Sequence, residues 1–226
     1  MGKIRLHAKP FVERTKMNLT EEKNPLRAGR TPAGTARPSC RTGPERLAGC
    51  CGLYCGLCPR YQSTAASKCP GCKILSLTIS CKRYNCCVKK NCFETCAECQ
   101  DFPCEKYDNF FDWDSFVTHR VCLPNIQQIK HQGLTKWLRQ QCKKRQALEN
   151  LLANYNDGRS CSFYCMAAAL MPMPLIAKSV RQAQKTIAAE QIPAPDIKSQ
   201  AKILRATIQD LASKANTDLK LRRPGK

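Results

Sequence analysis

The sequence predicts a mainly α-helical chain that carries a small, irregular, metal-stapled cysteine-rich module of the zinc-knuckle kind, preceded by a disordered basic arm. Three observations predict it. Twelve of the eighteen cysteines fall between Cys51 and Cys104, mostly as short pairs. From Asp112 onward, apolar residues recur every three or four positions, the period of an amphipathic helix. Before residue 49, Pro, Gly, Thr, Ala and Arg dominate, without an apolar period. The expected divisions are 1–48 for the arm, 49–106 for the module, 107–190 for a helical domain packed on it, and 191–226 for a last helix and basic tail.

The arm spaces Arg27, Arg30, Arg37, Arg41 and Arg46 like a phosphate-binding tail, or like a solvated leader. No apolar run reaches the roughly 18 residues that span a bilayer. The most apolar stretch, Met166 to Ile176, is shorter and holds two prolines. No apolar signal region is present near Met1. The expected location is therefore cytoplasmic, with no membrane partner. In that reducing compartment, closely paired cysteines point to metal ligands before disulfides.

Within the module, Cys55-x2-Cys58 and Cys69-x2-Cys72 form one expected four-sulfur site. Two residues between cysteines on a tight turn bring both sulfurs to one side of a tetrahedral ion. Gly56 and Gly71 permit those turns. Cys81, Cys86, Cys96 and Cys99 make a second expected site, and Cys51, Cys87, Cys92 and Cys104 remain as substitutes or as a third site, with Cys51 and Cys104 the favoured ligands. Leu75, Leu77 and Ile79 alternate with polar residues, the pattern of a short strand leading to Cys81. The segment has few large apolar side chains, so its folding is expected to rest on metal. A structural zinc contributes roughly 10–16 kcal/mol in small metal domains. Two zinc ions are the expected cofactors. An iron–sulfur cluster is the alternative, because thiolates bind both metals. Cys51-x3-Cys55-x2-Cys58 has the spacing of the radical S-adenosylmethionine cluster motif, but the strand–helix alternation of such a barrel is missing downstream.

The run Cys51-Gly52-Leu53-Tyr54-Cys55-Gly56-Leu57-Cys58-Pro59, with Cys69-Pro70-Gly71-Cys72, Cys81, Cys86 and Cys96-Ala97-Glu98-Cys99-Gln100-Asp101-Phe102-Pro103-Cys104-Glu105, resembles an uncharacterised prokaryotic family, domain-of-unknown-function family 3795. The likeness continues through 114–120 and 155–160 and covers about residues 51–170. It implies a metal-binding, zinc-type module and no established activity. Cys40, Cys50, Cys87, Cys92, Cys122, Cys142 and Cys161 lie outside the motif.

Beyond the module, Phe110, Phe111, Trp113, Phe116 and Val117 are expected to form an aromatic seam joining it to the helices, or a stacking platform for bases. His119-x2-Cys122 offers two more metal ligands. A helix is expected from Pro124 to Lys130, ended by Gly133, and a longer one from Leu134 to Tyr155. The latter sets Trp137, Leu138, Gln141, Leu148 and Leu151 on one face. Lys136, Arg139, Lys143, Lys144 and Arg145 form the densest basic group, which can track a phosphate backbone or serve as a solvated face. Ser160 is placed to cap a helix in which Cys161 and Cys165 share a face. Pro172 and Pro174 start the next helix. In the last, Ile197, Ala201, Leu204, Ile208 and Leu211 make a coiled-coil-like stripe. That stripe packs either on this chain or on a second copy, as a homodimer. Lys220, Arg222, Arg223 and Lys226 are expected to form a disordered basic tail.

No Ser-His-Asp set, phosphate loop or HExxH helix appears, so the reading leans away from an enzyme. The formal net charge of +21 falls to about +17 if two four-thiolate zinc sites form, and invites an acidic partner. The charge is spread evenly, each of residues 1–48, 49–171 and 172–226 carrying a net +7. The expected function is a zinc-binding interaction module that contacts nucleic acid or a protein. An iron–sulfur or thiol-redox protein is the alternative.

Overall fold

A computed structural model describes residues 44–75 and 80–223. The described chain is mainly helical. Most of the expected arm, and Lys226 of the tail, lie outside the described residues. The end of the arm belongs to the fold: Leu47 and Ala48 are buried, and Ala48 forms an antiparallel bridge with Tyr54. That bridge is the sole β pairing, and no strand occurs among the described residues. The strand expected over 75–79 meets a helical turn instead at its first residue. Leu75 closes the turn Cys72–Leu75, and 76–79 lie outside the described residues.

Residues 44–107 are a succession of single turns joined by extended backbone. The turns are Pro44–Leu47, Cys55–Leu57, Pro59–Gln62, Cys72–Leu75, Lys82–Tyr84, Asn85–Lys90, Cys96–Glu98 and Glu105–Tyr107. Asn85–Lys90 is a π-helical turn, wider than an α turn. Its i→i−5 bond runs from the Asn91 N–H to the Cys86 carbonyl, 3.1 Å. Such insertions concentrate at functional sites.

Five longer helices follow: α1 (Cys122–Gln132), α2 (Leu134–Tyr155), α3 (Cys161–Leu170), α4 (Met173–Ala189) and α5 (Ile197–Lys214). Gly133 ends α1 at φ 83°, a left-handed conformation that costs glycine little. α2 is the hub. It packs on α1, α3 and α5, and also on the Cys55–Leu57 and Pro44–Leu47 turns. Its apolar face buries Trp137, Leu138, Leu148 and Leu151. The Tyr54 ring meets Trp137 edge-on at 6.0 Å. The cysteine turns and the helices thus share one core running from Leu47 to Leu219.

α4 and α5 form a helical hairpin. Asp196 caps α5, its carboxylate accepting the Ser199 N–H at 3.0 Å. Ala201, Leu204, Ile208 and Leu211 are buried against this chain's own helices. The stripe therefore packs on this chain, the first of the two expected options.

Three local expectations are corrected. Ser160 precedes α3, but its side chain makes no capping bond. Asp157 Oδ1 instead accepts the N–H groups of Arg159 and Ser160, at 3.0 and 2.9 Å. The aromatic seam forms from Phe102, Tyr107, Phe110 and Phe111, while Trp113 and Phe116 remain 41% and 48% exposed. The basic tail is held as far as it is described. Leu219 is buried, and Arg222 binds the fully buried Asp114 through its N–H at 2.9 Å and its guanidinium at 3.2 Å. His119 N–H adds a third short bond to Asp114, 2.7 Å.

Candidate metal centre

Cys50, Cys87 and Cys96 come together, and all three are buried. Their sulfurs lie within 4.8 Å of one another. Around zinc at about 2.3 Å, the corners of a sulfur tetrahedron lie about 3.8 Å apart, so three corners are nearly in place. Each sulfur is positioned by backbone. Cys50 follows the Ala48–Tyr54 bridge, and its carbonyl accepts the Cys96 N–H at 2.9 Å. Cys87 sits in the π-helical turn and its thiol faces the Phe93 carbonyl at 3.7 Å. Cys96 opens a turn capped by Thr95, while Glu98 closes the box by accepting the Thr95 N–H at 3.0 Å.

The electrostatics single out Cys96. Hydrogen bonds from the Cys50 and Cys87 thiols push it down to about 3, aided by the Tyr107 hydroxyl at 3.0 Å and the Arg83 charge and opposed by burial. Cys50 is pushed up, first by its bonds to Cys87 and Cys96 and then by burial. A cation bound at this group would replace the thiol protons, since sulfur ligates as thiolate. Cys51 stands next to this group. It is pushed below the ordinary thiol value by a hydrogen bond from Cys122, against burial, with the Leu53 N–H and Arg83 assisting. Cys122 is the first residue of α1, so this pair links the turns to the helices.

On the far side of Cys87 and Cys96 lies a cavity of about 20 Å³, bounded also by Cys86, Cys99 and Cys104. That is space for about one water-sized occupant. Three of the four sulfurs expected at the second site, Cys86, Cys96 and Cys99, therefore face one small void. Cys81 does not; it lines a larger cavity with Cys50, Cys51, Cys55, Cys58, Cys72 and Cys165.

At the first expected site, the Cys72 N–H donates to Cys55 Sγ at 3.1 Å. The Cys72 thiol is pushed up, chiefly by its hydrogen bond with Cys55 and then by burial. Burial raises Cys58, with Cys72 and Cys69 acting on it electrostatically. The Cys69 N–H binds the Arg60 carbonyl at 3.0 Å, tying the second knuckle to the first. Gly71 has φ 108°, so the turn needs its freedom. Gly56 serves differently, since a Cβ there would lie 2.5 Å from the Tyr54 ring. Among the described residues, only Cys50, Cys87 and Cys96 form a group of three or more ligands within 4.8 Å, so the four sulfurs of this site do not converge to that distance.

The other candidates are placed as follows. Cys161 and Cys165 share a hydrogen bond that lowers Cys161 to about 7. Tyr54 Oη and Cys142 Sγ are 3.6 Å apart. His119 is no free ligand: Nδ1 meets the Phe110 carbonyl at 3.0 Å and Nε2 the Ser115 hydroxyl at 3.2 Å. A carbonyl only accepts, so Nδ1 carries the proton in the neutral ring. Of the basic group on α2, Lys136, Arg139 and Lys143 are exposed. Lys144 and Arg145 turn inward. Lys144 Nζ donates to the Ala169 carbonyl at 3.1 Å, and Arg145 packs near Gly56 and pairs with Glu149 at 3.3 Å.

Sequence reasoning left Cys50 outside the motif and kept Cys87 only as a substitute ligand. Each adjoins a cysteine that was counted, in the doublets Cys50-Cys51 and Cys86-Cys87. Spacing alone gives no rule for which member faces inward when the backbone is irregular. No family model, curated protein or solved structure matches the chain.

Proposed function

We propose that the chain is a zinc-binding module whose turns are stapled by thiolate-bound metal and whose helices present its interaction surface. The convergence of the buried Cys50, Cys87 and Cys96 sulfurs carries this reading. The donor set fits the ion: three buried sulfurs within 4.8 Å of one another, with Cys51, Cys86, Cys99 and Cys104 as neighbours that could move in to complete the coordination. Zinc held by four thiolates is coordinatively closed, so it supplies folding energy and no open position for chemistry. The chain's own residues do the remaining work. Thr95 and Glu98 fix the Cys96 turn, and Tyr107 donates to its sulfur. The exposed Lys136, Arg139 and Lys143 are the contact points for an acidic partner, nucleic acid or protein. Relationship to domain-of-unknown-function family 3795 and a cytoplasmic location belong to this proposal, resting on motif order and cysteine usage.

A second reading has its own observation. Seven cysteines line one larger cavity, more than a closed single-ion site uses, and this favours an iron–sulfur or thiol-redox protein. Anaerobic purification, a visible spectrum and metal quantification separate the two. About two zinc ions per colourless chain are expected. Brown protein with iron and acid-labile sulfide would overturn the zinc reading.

A further inference from the structure

We infer that the larger cavity binds a planar heteroaromatic ring bearing a hydrogen-bond donor and acceptor side by side, the edge a nucleobase presents, and that Gln141 reads that edge. The cavity measures about 480 Å³, within the range of small-molecule sites, and lies between the cysteine turns and the helices. Gln141 lines it from α2 and is only 5% exposed; its carboxamide makes no hydrogen bond to any described residue, and its polar atoms keep accessible surface, so the amide is open to what enters the cavity. Gln141 is the sole buried carboxamide among the described residues.

Two polar neighbours are turned elsewhere: Asn125 Nδ2 binds the Gly52 carbonyl at 2.8 Å, and Ser115 Oγ faces His119 at 3.2 Å. A ligand that replaces water at the Gln141 amide would accept from its NH₂ and donate to its carbonyl. A glutamine meets adenine in that two-bond fashion. The rest of the lining suits a ring, since Leu57, Tyr54, Phe110 and Met166 supply apolar walls. Trp113 and Phe116 also line the cavity, and they are the two large hydrophobic side chains left exposed among the described residues. Exposed aromatic faces at a cavity stack on planar rings. The Arg60 guanidinium stands 5.2 Å from the Phe116 ring centroid, so a phosphate attached to the ring would meet positive charge.

This inference goes with the zinc reading, because a cluster among the seven cysteines of this cavity would take the space of the ring. The colourless, zinc-quantified sample is therefore used. The test is titration of the full, metal-quantified chain with adenosine, uridine and, as a ring lacking the paired edge, indole. Intrinsic tryptophan fluorescence and the ¹⁵N-resolved side-chain amide signal of Gln141 are the readouts. Expected are saturable binding of at least one nucleoside, movement of the Gln141 amide signal, and at least tenfold weaker binding by Gln141→Leu with unchanged metal content. Octamers of single-stranded A and U distinguish a free base from a base within a strand. Tighter binding of the octamer, weakened by Gln141→Leu, assigns the strand; binding of the nucleoside alone assigns the free ligand. Absence of saturable binding by every nucleoside and octamer would overturn the inference. So would an unmoved Gln141 signal in the wild-type chain at saturation, a result that holds even if Gln141→Leu fails to fold.

Discussion

The cysteine turns and the helical half are built on opposite economies of information. In residues 122–214, each element is written locally. An apolar stripe of the right period and a stop signal define a helix wherever it ends up. In residues 44–107, the chain is irregular and the side chains that meet come from distant turns: Cys50 with Cys96, and Cys55 with Cys72. The helical half is held by side chains that resist water. The turns share that core through Leu47, Tyr54, Leu57 and Tyr107, and add buried thiols that compete for protons and, on the reading proposed above, for cations. The first kind of stability is spread over many contacts, whereas the second is concentrated in a few sulfurs.

Metal removal should expose that difference most strongly. With a chelator under reducing conditions, or with Cys96→Ser, amide exchange over residues 44–107 should accelerate far more than over 134–155 and 197–214. The loss per structural zinc is on the order of 10 kcal/mol. Equal acceleration in both halves would show that the shared core, rather than the ion, sets local stability. The converse test is Leu204→Ala in α5. Leu204 is fully buried, and truncating such a side chain costs about 2–5 kcal/mol. Denaturant unfolding should record that loss while bound zinc stays unchanged.

Asp114 lies where the two halves meet. Burial pushes its carboxyl up, but the bonds from Arg222 and the His119 N–H outweigh it and hold the group below the ordinary carboxylate value. Asp114→Asn should cost about 2 kcal/mol, a figure kept low because Arg222 is a third exposed. The depressed value fixes the sign with pH. Stability from Asp114 is fully present above its unfolded value of about 3.9 and is lost as pH falls through the lower folded value. Burial also depresses His119, so its contribution is present above about 6.5 and is lost as pH falls through its own folded value. Acid titration of unfolding should therefore weaken the wild type in two stages, and Asp114→Asn should lack the lower one. The smallest effect belongs to the exposed face of α2. Replacing Lys136, Arg139 and Lys143 with Gln should move stability by less than about 0.5 kcal/mol each. If that face meets nucleic acid, the same replacements should reduce the salt slope of binding.

Legibility followed the same division. The bounds of α2, the Gly133 stop and the stripe of α5 were readable because helical periodicity and breaker residues act over a few positions. The Ser160 cap was misplaced because Asp157, one turn earlier, can reach the same N–H groups. Lys144 was assigned to the solvated face, yet a long side chain can carry its ammonium to the Ala169 carbonyl. In the turns, spacing identified the Cys55/Cys72 neighbourhood and the Cys86, Cys96 and Cys99 group. It missed Cys50 and ranked Cys87 only as a substitute, because a bridge and a π-helical turn, neither with a sequence period, set those positions. Gln141 was placed on the buried face of α2 from its position alone, but nothing in the sequence showed that its amide would find no partner there.

The clamp between Asp114 and Arg222 has a consequence for the order in which the protein is made. The two residues are 108 positions apart, and synthesis proceeds from the N-terminus. Every cysteine of the turns leaves the ribosome before Arg222 does. During that interval Asp114 has only Arg120, at 3.9 Å, as a cationic partner, and the chain end that buries Leu219 has yet to arrive. A metal held by the turns could therefore load before this latch forms, and the arrival of the last helix and its tail would then close the structure over it.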